Sequence, residues 1–180
     1  MPLTRLRRGS THALPGLRCT DLWLDVPVQH HDPDGETLTL YAREVVAADA
    51  PDAPRPYLLF LQGGPGFGGP RPAEASGWIA RAVREYRVLL LDSRGNGRST
   101  PLSGHAVAQL DPDAAETYLA AFRADSIVRD AECLRAALDS PPWTVLGQSF
   151  GGFCLATYLS LAPEGLCAGL FTGGIPPVGA

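Results

Sequence analysis

The stretch Trp143-Thr144-Val145-Leu146-Gly147-Gln148-Ser149-Phe150-Gly151-Gly152-Phe153-Cys154-Leu155 reads as a strand, a tight turn and the start of a helix. A serine sits at the apex with glycine two residues to either side. A chain that turns from strand to helix this sharply holds the apex residue in a strained backbone conformation. Its neighbours must lack bulk so that strand and helix can pass closely. The arrangement is a nucleophile elbow, and it points to acyl transfer through a covalent intermediate on Ser149. The hydroxyl would stand at the carboxyl edge of a sheet and at a helix N-terminus, where N–H groups and the helix dipole favour developing negative charge. The N–H of Phe150 is then one oxyanion donor. A chain with 20 glycines can also produce Gly-x-Ser-x-Gly by chance, so the strand and helix on either side carry the argument.

Working outward, Pro56-Tyr57-Leu58-Leu59-Phe60-Leu61 is a continuous apolar run, as in a strand buried on both faces. It ends in Gln62-Gly63-Gly64-Pro65-Gly66-Phe67-Gly68-Gly69-Pro70. A glycine-rich loop after such a strand can turn backbone N–H groups toward a ligand. Gly64 is the first candidate for the other oxyanion donor, and Gly63 the second. A phosphate loop is disfavoured, because no Gly-Lys-Ser/Thr follows and all 15 basic residues are arginine. A third strand, Val88-Leu89-Leu90-Leu91, ends in Asp92-Ser93-Arg94-Gly95-Asn96-Gly97-Arg98-Ser99. Asp92 paired with Arg94 or Arg98 would brace that loop, a structural role.

The remaining pattern completes an α/β fold. Leu22–Val28 and Thr37–Val46 alternate about the turn Asp32-Pro33-Asp34-Gly35 and predict an antiparallel hairpin. Ala47–Arg55 reads as a surface loop. Helices are expected over Trp78–Tyr86, Asp113–Phe122 and Asp125–Asp139, the last with Ile127, Ala131, Leu134 and Leu138 on one face. Gly169–Thr172 is a final strand. Strands alternating with helices after a hairpin imply a mostly parallel sheet flanked by helices.

Taken together, the Gly63-Gly64-Pro65-Gly66 loop, the Asp92–Ser99 loop and Gly147–Gly152 resemble the α/β-hydrolase fold family, and more narrowly the proline iminopeptidases. The resemblance covers roughly residues 20–175. It implies a serine aminopeptidase acting on small peptides with N-terminal proline. A general ester or amide hydrolase, or a non-catalytic hydrolase-like domain, is the alternative. Gln62 departs from the histidine usual before the two glycines; it could brace the loop as a neutral hydrogen-bonding substitute. The family also places an acid and a histidine after the serine, whereas no histidine follows Ser149 here. The expectation is therefore an irregular segment over residues 1–20, then over 21–180 the N-terminal part of a catalytic domain. The sheet would stop after about its sixth strand, with cap and C-terminal strands outside the chain. Such a chain is expected to be marginally stable or self-associating, with an unprotected edge strand, and to turn over little by itself.

A serine hydroxyl needs a base. His12, in the expected irregular segment, and His30, His31 and His105 read as surface-loop residues rather than as that base. At 45% hydrophobic and 19% charged residues, with net charge −4, the composition is that of an ordinary soluble domain. It gives no reason to expect nucleic acid or a membrane as partner. Cys19, Cys133, Cys154 and Cys167 lack metal-ligand spacing, so neither metal nor cofactor is expected. Cys133, Cys154 and Cys167 fall in apolar segments and are expected to be buried. Arg5, Arg7 and Arg8 precede no apolar run, so no secretory signal is read and a reducing cytoplasm is the default. Oligomeric state is not legible.

Overall fold

A computed structural model describes residues 6–174. One seven-stranded sheet runs through the molecule. Its antiparallel half is built from β1 (Arg7–Leu14), β2 (Leu17–Pro27) and β3 (Thr37–Ala47). The expected hairpin is β2 and β3, with Leu24 opposite Leu40 and the connecting loop closed by the Val28 N–H on the Glu36 carbonyl at 2.7 Å. In the parallel half, β5 (Arg87–Asp92), β4 (Tyr57–Leu61), β6 (Trp143–Gln148) and β7 (Leu166–Thr172) lie side by side. β3 and β5 pair antiparallel and join the two halves.

Residues 7–14 correct the expected irregular start. They form β1, which raises the strand count to seven and places His12 on a strand. The segment shows no apolar alternation, because an edge strand exposed along almost its whole length is fixed by ladder hydrogen bonds rather than by burial. Residues 1–5, with Arg5 among them, and residues 175–180 lie outside the described residues.

The run Leu58-Leu59-Phe60-Leu61 is buried on both faces, as its composition predicts. Leu59 and Leu61 join a core with Leu89, Leu91 and Val145 under α4 (Ala124–Ala137) and α5 (Phe150–Leu161). Leu58 and Phe60 join the opposite core with Val88, Leu90, Ile79 and Val83. The second core is covered by α1 (Gly77–Ala82), shorter than the expected Trp78–Tyr86 because the chain tightens into turns after Ala82. Of the expected helical face on α4, Ile127, Ala131 and Leu134 are buried. His105, expected in a loop, lies on the short α2 (Gly104–Val107). The helix after it, α3 (Pro112–Ala120), is capped by the Asp111 carboxylate on the Ala114 N–H at 3.0 Å, with proline at its first turn.

At the other edge of the sheet, β7 is exposed along most of its length, and Leu170 and Phe171 are about half exposed. Cys167 is exposed there too, correcting its expected burial, while Cys19 and Cys154 are buried and Cys133 half-buried. An edge strand whose outer side meets no neighbour leaves even apolar residues in contact with solvent.

Candidate active site

Ser149 stands between β6 and α5 with φ 52° and ψ −116°, and its side chain is exposed. A non-glycine residue rarely holds this conformation, so the surroundings must enforce it. Three glycines do so. A Cβ on Gly147 would lie 2.4 Å from the Gly151 carbonyl oxygen. A Cβ on Gly151 would lie 2.0 Å from the Leu61 carbonyl oxygen, and one on Gly152 would lie 2.7 Å from Gly174 Cα. Strand, helix and glycine loop therefore meet backbone to backbone. The Ser149 N–H is tied to the Thr172 carbonyl at 2.9 Å, and its own carbonyl accepts from Gly152 and Phe153 at 2.8 and 3.2 Å. Behind the elbow, Trp143 Nε1 donates to the Tyr158 hydroxyl at 3.0 Å, pinning α5 to β6.

Gly63 comes directly beside the serine: a Cβ there would lie 3.1 Å from Ser149 Cβ and 3.8 Å from Oγ. Gly64 follows with φ 131°, a backbone open to glycine alone. Among the described residues the N–H groups of Gly63, Gly64 and Phe150 have no hydrogen-bond acceptor. The structure thus brings Gly63 into contact with Ser149. Gly64 is the next residue in the same loop, and Phe150 is the first residue of the helix.

The loop is anchored from below by Asp92, which is fully buried. Its carboxylate accepts the Gly69 N–H at 2.6 Å and the Arg98 N–H at 2.7 Å, and is paired with the Arg71 guanidinium. This corrects the expected pairing of Asp92 with Arg94 or Arg98. Arg98 contributes only its backbone, and its side chain bonds Asp21 at 2.8 Å. Arg94 turns to the opposite side and is buried with Asp130, at 2.7 and 2.6 Å, and on the Val28 and Ala121 carbonyls. No signal along the chain points to Arg71 or Asp130, because neither pairing has a fixed spacing. The Gln62 side chain makes no hydrogen bond among the described residues, so the bracing expected of it is not seen.

His30 is also not a free loop residue. Its side chain is 9% exposed and bonds Asp130 at 3.0 Å, with Arg94 at 3.0 Å. His31 and His105 are exposed, and His12 touches Ser10 at 3.1 Å. None of the four is hydrogen-bonded to Ser149. Burial pushes the Cys154 thiol up to about 12, which keeps it neutral and inert one turn past the elbow. Among the described residues no three His, Cys, Asp or Glu side chains are grouped to hold a metal ion.

An exposed serine at a strained strand-to-helix turn, faced by a glycine loop, is accompanied by a family match over residues 56–177 to the alpha/beta hydrolase fold. The chain belongs to the α/β-hydrolase fold family. This hydrolase chain is 52% identical over 170 residues to a proline iminopeptidase of Aeromonas sobria, covering 93% of this chain and 40% of that protein. It is 40% identical to a proline iminopeptidase of Aspergillus aculeatus, covering 92% of this chain and 39% of that one. The chain thus spans about two-fifths of the length of these relatives. A proline iminopeptidase-related protein of Thermus thermophilus superposes with a TM-score of 0.55 at 24% identity, over 94% of this chain and 45% of that one, and shows the shared fold. No described helix is long and apolar enough to cross a membrane.

Proposed function

We propose that this hydrolase chain carries the nucleophile and oxyanion donors of a serine aminopeptidase that releases N-terminal proline from small peptides. In this reading the Ser149 oxygen attacks the carbonyl carbon of the first residue, and its proton passes to a base. The charge on the former carbonyl oxygen is met by the N–H groups of Phe150 and Gly64, with Gly63 the second choice for the latter. The peptide amine leaves with a proton, and water then cleaves the acyl-serine ester. The carrying observation is the exposed Ser149 hydroxyl with Gly63 packed against it and three N–H groups without acceptors nearby. The proline preference is drawn from the two iminopeptidase relatives. The base and its acid partner are assigned to the part of those relatives that this chain does not span. The cytoplasmic setting belongs to the same proposal and rests on four free cysteines.

The test is hydrolysis of proline β-naphthylamide against short acyl esters by the complete gene product. Ser149→Ala should lower turnover by about 10⁴-fold or more. Preference for esters would replace the peptidase reading with a general hydrolase, and unchanged turnover in Ser149→Ala would remove the serine mechanism. A non-catalytic reading is favoured by one observation, that no described histidine contacts Ser149. It predicts that the complete gene product binds such peptides without cleaving them.

A further inference from the structure

The glycine loop that faces Ser149 is fixed at its two ends and not between them. It leaves β4 beside the serine, where a Cβ on Gly63 would lie 3.8 Å from Ser149 Oγ. It is held again at Gly69, against the end of β5, the strand on the other side of β4 from β6. Residues 64–68 make no hydrogen bond to any described residue outside the loop. Phe67, the one large side chain there, is 68% exposed, so burial does not hold the loop either. Five of the seven residues from Gly63 to Gly69 are glycine, which leaves the backbone many conformations to choose among.

The far end is clamped. Asp92 closes β5, is wholly buried, and its own carbonyl accepts the Ser99 hydroxyl at 2.5 Å. Its carboxylate accepts the Gly69 N–H at 2.6 Å. Glycine backbone surrounds that carboxylate: a Cβ on Gly68 would lie 3.1 Å from Oδ1, and one on Gly97 would lie 2.1 Å from Oδ2. The Arg71 guanidinium pairs with Asp92 and also donates to the Gly69 carbonyl at 2.8 Å and the Pro70 carbonyl at 3.3 Å. It lies over the Tyr41 ring, 5.1 Å from the centroid. The N–H and the carbonyl of Gly69 are thus both gripped by one ion pair.

We propose that Arg71 and Asp92 are positioning residues for the reaction at Ser149, setting where the loop's oxyanion donor stands. The inference rests on the serine-hydrolase reading of Ser149 and Gly64. Neither side chain is hydrogen-bonded to Ser149, Gly63 or Gly64, so both act through Gly69. An oxyanion donor is effective when it is in place before charge develops. A loop so rich in glycine, released at Gly69, spreads its N–H groups over many positions, and the tetrahedral intermediate loses part of its stabilisation. The loss falls on kcat, because the donor meets full negative charge only as the transition state is reached.

The test is steady-state hydrolysis by the complete gene product of whichever substrate it cleaves, proline β-naphthylamide or a short acyl ester. It is paired with inhibition by pyrrolidine-2-boronic acid, or by phenylboronic acid if esters are preferred. In the adduct the Ser149 oxygen gives a lone pair to boron, its proton passes to the base, and the negative boronate sets one oxygen in the oxyanion position. Arg71→Gln should lower kcat about tenfold or more and leave KM within about twofold, since a whole donor is worth roughly 10²–10³. Boronate affinity should fall by the same factor, and the {1H}–15N NOE of Gly64 and Gly66 should drop. Arg71→Lys, which keeps a charge beside Asp92 without the guanidinium fork, should fall between Arg71→Gln and the parent. Glu44→Gln is the control for general destabilisation. Its partners Arg87 and Tyr57 begin β5 and β4, at the opposite edge of the sheet from Ser149, so kcat and boronate affinity should be unchanged. Unchanged kcat in Arg71→Gln, or in Arg71→Lys where Arg71→Gln does not fold, overturns the inference. So does a loss carried by KM, or an equal loss in Glu44→Gln. In each of these cases an inactive Ser149→Ala leaves the serine reading standing. A Ser149→Ala protein as active as its parent, or a parent that cleaves neither substrate, sinks that reading and the clamp with it.

Discussion

The elbow region and the antiparallel half of the sheet are held together by opposite means. Around Ser149 the fold depends on side chains that are missing: Gly147 and Gly151 have carbonyl oxygens where a methyl group would go. In β2 and β3 it depends on buried charges that are fully partnered. Asp21, 2% exposed, accepts from the Tyr41 hydroxyl at 2.5 Å, Arg43 Nε at 2.9 Å and Arg98 at 2.8 Å. Glu44, 3% exposed, accepts from Arg8 at 3.0 Å, Arg87 at 2.9 Å and Tyr57 at 3.2 Å. Arg98 also lies over the rings of Tyr41 and Trp23, at 4.5 and 5.2 Å. A backbone contact has no slack, since neither partner can rotate away. A charge with several donors loses them one at a time. The first region should fail abruptly under small changes and the second by degrees.

The largest effect is expected from Gly151→Ala. Its methyl group meets the Leu61 carbonyl, so stability should fall by about 3 kcal/mol or more in urea unfolding. A loss under 1 kcal/mol would show that helix and loop can separate, and the contrast with the charged half would disappear. Next is Glu44→Gln, which keeps the shape but weakens charge-assisted bonds, at about 2 kcal/mol near neutral pH. The same residue gives a pH signature. Although burial by itself would raise the Glu44 carboxyl, Arg87 and Arg8 hold it below its ordinary 4.5. A group lowered in the folded state stabilises above its unfolded value and loses that contribution as pH falls through the folded one. Wild-type stability should therefore decline below about pH 4.5, and Glu44→Gln should remove part of that decline. A parallel acid limb in the two proteins would show that Glu44 is not held by charge.

Smaller still, Ser149→Gly should raise stability by about 1 kcal/mol in thermal or urea unfolding, because glycine adopts φ 52° without strain. No gain would mean that the apex is relaxed and the elbow less tightly enforced than its contacts suggest. The smallest change belongs to Arg81→Ala, which deletes an exposed i,i+4 pair with Glu85. It should shift stability by about 0.5 kcal/mol or less and lose even that at high salt.

Much of this was legible along the chain. Leu58–Leu61 and Val88–Leu91 announced strands buried on both faces, and Gly147–Gly152 announced the turn. Such signals are local, because period, bulk and backbone freedom are properties of neighbouring residues. β1 was not legible, since an edge strand of Arg, Gly, Ser, Thr and His carries no alternation. Nor were the partners of Asp92 and Arg94, which lie 21 and 36 residues away in Arg71 and Asp130. His30 and Cys167 changed places with expectation for the same reason. A turn histidine was drawn against the buried Arg94–Asp130 pair, and a cysteine in an apolar run fell on the sheet's open edge.

The order of residues alone therefore settled the α/β class, the serine at the apex and the glycine loop that would face it, because sterics within a few residues decide them. Which guanidinium meets which carboxylate and which glycine lies against Ser149 were decided by packing. Those contacts join segments whose separation along the chain carries no information about their distance in space.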